Sequence, residues 1–134
     1  MKTNKTLIFS AALILASITT FGQTAPATKA NANKTWTTFW QRLVSAANKK
    51  DHKAMLAVMP ADFFDGGGGG TASEWLKDLD ARAWRDLQKS FAKGTKPGEN
   101  DKSKAIVTRV TRDNAFYFEF RKDGKWWFAG VMGD

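Results

Sequence analysis

Phe116-Tyr117-Phe118-Glu119-Phe120-Arg121 is the stretch on which the fold turns. Its phenylalanines fall at every second position, with Tyr117, Glu119 and Arg121 between them. Successive side chains of a strand point to opposite faces, so this run predicts one apolar face and one mixed face. Asp123-Gly124 follows, and then Lys125-Trp126-Trp127-Phe128-Ala129-Gly130-Val131. An Asp-Gly pair between two such runs predicts a hairpin, because a type I′ turn needs φ > 0 at both central residues. Upstream, Ile106, Thr108 and Val110 alternate with Ala105, Val107 and Arg109, and Arg112-Asp113-Asn114 supplies a turn. Lys104 to Met132 is therefore expected to form a three-stranded meander.

Helical spacing precedes it. Trp36, Phe39, Trp40, Leu43, Val44 and Ala47 make a broad apolar stripe, with Thr35 or Asn33 placed to cap it. Asn48-Lys49-Lys50 ends that helix, and Asp51 is placed to cap a short one from His52 to Met59, closed by Pro60. Thr71-Ala72-Ser73-Glu74 reads as a capping box. The helix it opens is expected to run to about Lys93, with Leu76, Leu79, Ala83, Leu87 and Phe91 on one face and Gly94 as its stop. Between these helices stand Asp62-Phe63-Phe64-Asp65 and five consecutive glycines, Gly66 to Gly70. The glycines lack the Lys-Ser/Thr pair or fixed offsets of a phosphate loop, so they read as a connector. Thr95 to Ser103, with Pro97-Gly98, reads as a loop.

The chain has 134 residues, enough for one domain. Ten Phe and six Trp supply a core. With no Cys there is no disulfide, thiol chemistry or lipid-anchored cysteine. The net charge of +8 favours anionic surfaces without naming a partner. Met1 to Gly22 reads as a signal peptide: Lys2 and Lys5 lead, Leu7 to Ile18 is apolar, and the cut falls at Gly22/Gln23. That run is short for a membrane span, so no transmembrane helix is expected after cleavage. Residues 23–34 are small and polar and read as a disordered leader, leaving 35–134 as the domain. An exported domain without disulfides fits a bacterial periplasmic or secreted protein.

Helices around Trp40-Gln41-Arg42-Leu43 and Lys50-Asp51, the Asp113-Asn114-Ala115-Phe116 strand opening, and the Asp123-Gly124-Lys125-Trp126 turn form a pattern. It resembles the nuclear-transport-factor-2-like superfamily, in particular its small exported members. The resemblance covers roughly Thr35 to Met132. It implies an α+β fold in which a curved antiparallel sheet, cystatin-like, wraps helices into an open cone with a cavity between sheet and helices. Larger members carry extra strands where this chain has only Asp62 to Asp65 and the glycine run. It also implies that enzymes on this fold hold an acid or base inside the cone, and that many members pair sheet to sheet.

Acid/base work needs a group moved toward neutrality by burial. His52, Asp62, Asp65, Asp113 and Tyr117 are the titratable candidates. His52 stands at a helix start and reads as a surface residue, whereas Asp62 and Asp65 flank Phe63-Phe64 and are the catalytic candidates. One His, no Cys and no close carboxylate cluster leave no metal set, and no cofactor motif is present. Trp126 and Trp127 are adjacent on a strand and must face opposite ways. With Tyr117, Arg121 and Lys125 they make a candidate stacking platform for a small apolar or aromatic ligand. Nucleic acid is disfavoured by export and by scattered basic residues; an anionic envelope component fits the charge better. Three readings stay open: a non-catalytic binding module, a small isomerase or lyase using Asp62 or Asp65, and a homodimeric structural subunit.

Overall fold

The computed structural model describes residues 27–99 and 105–133. The signal segment, the Gly22/Gln23 cut and the first part of the leader lie outside those residues. Helices α1 (Lys29–Asn48), α2 (His52–Leu56), α3 (Ala72–Asp78) and α4 (Ala81–Ala92) come first. Strands β1 (Thr95–Pro97), β2 (Ala105–Thr111), β3 (Phe116–Arg121) and β4 (Trp126–Val131) follow. They pair antiparallel in sequence order, an open meander. The fold is α+β, with N-terminal helices on a β-meander, as expected. No helix among the described residues is long and apolar enough to cross a membrane.

Local chemistry explains the elements and their departures from expectation, among them that α2 ends at Leu56 and not at Met59. Helix α1 starts at Lys29, not at Thr35, because Thr28 caps it by accepting from the Asn31 N–H at 3.2 Å. Part of the segment read as a disordered leader is thus helical. The capping box at Thr71 is present, with Thr71 N–H donating to Glu74 at 2.7 Å. The helix it opens does not continue to Lys93. It stops at Asp78, and Asp80 caps a separate helix by accepting from Ala83 N–H at 2.7 Å. The apolar positions stay periodic across this break, which is why one helix was expected. Thr95–Pro97, read as loop, forms a short fourth strand on β2.

A further departure is the Asp123-Gly124 turn. Only Gly124 takes positive φ there, 76°, so the turn is not type I′. Gly124 N–H donates to Arg121 O and Arg121 N–H to Lys125 O, each at 3.0 Å. This is the three-residue hairpin loop, a type I turn closed by a left-handed residue. The preceding hairpin repeats it with Asn114 at φ 55°.

Phe116, Phe118, Phe120, Trp126 and Phe128 turn their buried side chains to the helices. Trp36 meets Trp126 with centroids 4.6 Å apart, Trp40 meets Phe91 at 5.3 Å, and Phe63 meets Phe128 at 5.4 Å. Tilted and edge-on rings are the favoured arrangement for such pairs. The space between sheet and helices is thereby packed with aromatic rings where the cone resemblance implied a cavity. Arg109 shares this face, its guanidinium 4.8 Å over the Trp36 ring and its Nε–H donating to Thr95 Oγ1. Burial pushes its pKa down.

Both sheet edges are managed. β1 is short and carries Pro97. The free side of β4 is taken by the segment before the glycine run: Phe128 N–H donates to Val58 O, Phe64 N–H to Ala129 O, and Val131 N–H to Phe64 O.

Candidate functional site

The other face of the sheet carries the functional candidates. The register sets Thr108, Glu119 and Trp127 in one row and Lys96, Val110, Tyr117 and Gly130 in the next. Arg121 follows Glu119 on the same side of β3. A cavity of about 470 Å³ lies on α1 around Trp40 and Val44, open to solvent. A larger one, about 870 Å³, lies on the outer sheet face. Lys96 to Glu99 form one side, Thr108 and Val110 the next, and Tyr117, Glu119, Asn114 and Met132 complete it.

Tyr117 sits where it does because of Gly130. A Cβ at Gly130 would stand 2.8 Å from Tyr117 Cε1 and 2.6 Å from the Phe64 carbonyl oxygen. The glycine therefore lets an aromatic ring and a neighbouring backbone close on β4 together. Burial first, and then the nearby Glu119 charge, raise the Tyr117 phenol above its ordinary value.

Glu119, read from sequence only as a spacer between phenylalanines, is 8% exposed. Arg121 donates from Nε to Glu119 Oε2 at 2.7 Å, and Nη2 makes an ion-pair contact with the same oxygen at 2.7 Å. The same guanidinium donates from Nη1 to Asp62 Oδ1 at 2.7 Å. Arg121 is thus engaged by two carboxylates and is not a free cation for a ligand. Its burial opposes the charge, but the bonds to Asp62 and Glu119 outweigh that and raise its pKa.

The sequence platform is only partly assembled. Tyr117, Arg121 and Trp127 share the outer face. Trp126 does not: it is 5% exposed in the core, and its Nε1–H donates to Ala32 O at 2.9 Å. Trp127 is half-buried, and its Nε1–H donates to Asp123 Oδ2. The cavity residues Lys96 to Glu99 were passed over because a three-residue strand is too short for alternation to register.

The catalytic candidates fare differently from expectation. Asp65 organises the glycine run: Oδ1 accepts from Gly67 and Gly69 N–H, and Oδ2 from Gly70 N–H at 2.7 Å. The Gly70 bond leads in holding its carboxyl below the ordinary value, so Asp65 is the reverse of a carboxyl raised toward neutrality. Asp62 is exposed, ion-paired with Arg121, and outside the cavity. His52 is exposed with its ring 5.6 Å from Trp84. For Asp113, burial works to raise the pKa. Hydrogen bonds led by Ser90 Oγ–H outweigh it and hold the carboxyl at about 2. No group of three His, Cys, Asp or Glu among the described residues could hold a metal.

No protein-family model matches the chain, and neither a curated protein nor a solved structure matches it.

Proposed function

We propose that this is a non-catalytic binding domain that holds a small ligand in the outer-face cavity. The observation that carries the reading is the cavity itself. Its volume, about 870 Å³, lies in the range of small-molecule sites, and it combines Val110, Pro97 and Met132 with the polar Tyr117, Glu119, Thr108 and Asn114. The helix-and-meander order that resembles the nuclear-transport-factor-2-like superfamily is compatible with it, although the ligand space lies on the opposite face of the sheet from the one that resemblance implies. Export is part of the proposal and rests on the Met1 to Gln23 pattern alone. Asp62 and Asp65 give the acid/base alternative no support, for the reasons of charge pairing and lowered pKa above.

The test is amide NMR of the whole chain against a library of small apolar, aromatic, sugar and ionic compounds. Saturable shifts confined to residues 96–99, 108–110, 114–119 and 132 support the site. Saturable binding whose shifts fall on α1 or on the glycine run instead would overturn it.

A further inference from the structure

We propose that the ligand of the outer-face cavity is an organic cation, an ammonium group on an apolar body, with Glu119 as its counter-charge and Tyr117 as its aromatic neighbour. The inference rests on the cavity being the binding site and names the chemistry that site would take.

Glu119 is a carboxylate set into the cavity wall at 8% exposure. The hydrogen bond and the ion-pair contact from Arg121 both land on Oε2. Oε1 receives no hydrogen bond among the described residues, and no buried side-chain oxygen there is left without a partner. Oε1 is therefore not sealed from solvent, on a residue that lines the cavity. Arg121 does not cancel this charge fully, because its remaining nitrogen is drawn to Asp62 at 2.7 Å. Among the described residues, the other charges lining the cavity are Lys96 and Glu99, of opposite sign.

The surroundings suit a cation more than a neutral donor. A carboxylate removed from water binds a charged donor through a short, charge-assisted bond. Tyr117 lies two residues along the same strand, so its ring is beside Glu119 on the same face. An aromatic face next to a desolvated cation adds attraction. Burial first, and then the Glu119 charge, raise the Tyr117 phenol above its ordinary value, with the Arg121 charge opposing them. Val110, Pro97 and Met132 offer apolar surface for the body of the ligand. The net charge of +8 repels cations at long range, so selectivity for a cation has to come from the local Glu119 charge.

The experiment uses the whole chain and three probes that share a phenethyl body: phenethylamine, 2-phenylethanol and hydrocinnamate. Amide NMR locates each and calorimetry ranks them. The expected result is phenethylamine in the cavity at least about tenfold tighter than the alcohol, with hydrocinnamate weakest. Glu119→Gln keeps the shape and an acceptor for Arg121, and should abolish the preference for the amine. The probe ranking on the unmodified protein stands even if that variant folds poorly. Should the alcohol or the carboxylate match the amine inside the cavity, the cation assignment is wrong while the cavity remains the site. Should no probe shift residues 108–119 at millimolar concentration, the cation assignment falls. The broader compound library then decides whether the cavity reading falls with it.

Discussion

The guanidinium of Arg121 on β3 donates to Asp62 Oδ1 at 2.7 Å, closing a separation of 59 residues. It fastens the segment before the glycine run to the outer sheet face, and it does so while neutralising part of Glu119. The two carboxylates differ in burial: Asp62 is 51% exposed at its side chain, Glu119 11%. Removing Arg121 therefore harms the fold mainly through Glu119. Arg121→Met is expected to cost about 3 kcal/mol, since it strands a mostly buried charge. Asp62→Asn should cost less than about 1 kcal/mol, because an exposed pair is screened. Urea denaturation of both variants checks the ranking. Equal losses would mean that the bond to Asp62, not the burial of Glu119, sets the role of Arg121.

Gly130 offers a sharper steric test. A methyl there would press on the Phe64 backbone at 2.6 Å and on the Tyr117 ring at 2.8 Å. The backbone contact cannot move without breaking the Phe64 bridges to β4. Gly130→Ala is expected to lose about 2 kcal/mol, in the range of overpacking. Gly133→Ala, whose nearest neighbour would be 3.9 Å away, should be close to neutral. Thermal melts of the pair, with no difference between them, would contradict the packing described for Tyr117.

These two residues mark what was legible in the sequence. Alternation in residues 116–121 gave the strand, its two faces and the burial of the phenylalanines, because a period of two needs only local order. The caps at Asp51 and Thr71 were legible for the same reason: the capping side chain reaches three residues on. The Asp80 break was hidden because an Asp between two apolar-periodic segments reads equally as a surface residue of one helix. Trp126 and Trp127 were correctly assigned to opposite faces, but alternation cannot say which faces the core. The burial of Glu119 and its pairing with Arg121 and Asp62 were not legible. They depend on a register between elements far apart in the chain, and no local pattern encodes it.

Asp113 carries a pH signature whose sign follows from its environment. Its folded pKa of about 2 lies below the ordinary 3.8, so the carboxylate contributes stability above the ordinary value. That contribution is lost as pH falls through about 2. Asp113→Asn should lower stability at pH 7 by about 1 kcal/mol, modest because the group is partly exposed. The difference between the variant and the parent should shrink steadily below pH 4. Chemical denaturation across pH 2 to 7 measures it. A difference that stays constant with pH would mean that the Ser90 bond holds the turn through shape rather than charge.

Trp126 ties the two ends of the described chain together. Its Nε1–H donates to the Ala32 carbonyl at 2.9 Å across 94 residues, inside the core. Ala32 lies in the part of α1 that the sequence assigned to a disordered leader. Ala32 is fully buried there, and helix ends are where a fold opens first. Trp126→Phe keeps an aromatic ring against Trp36 and Phe120 but leaves the Ala32 acceptor without its donor. The expected cost is about 2 kcal/mol, from the lost bond and the smaller ring together. Hydrogen exchange should quicken at residues 29–36 more than in β3. Trp127→Phe loses only an exposed bond to Asp123 and should leave those amides unchanged. If both variants protect residues 29–36 equally, the start of α1 is held by its Thr28 cap and not by Trp126.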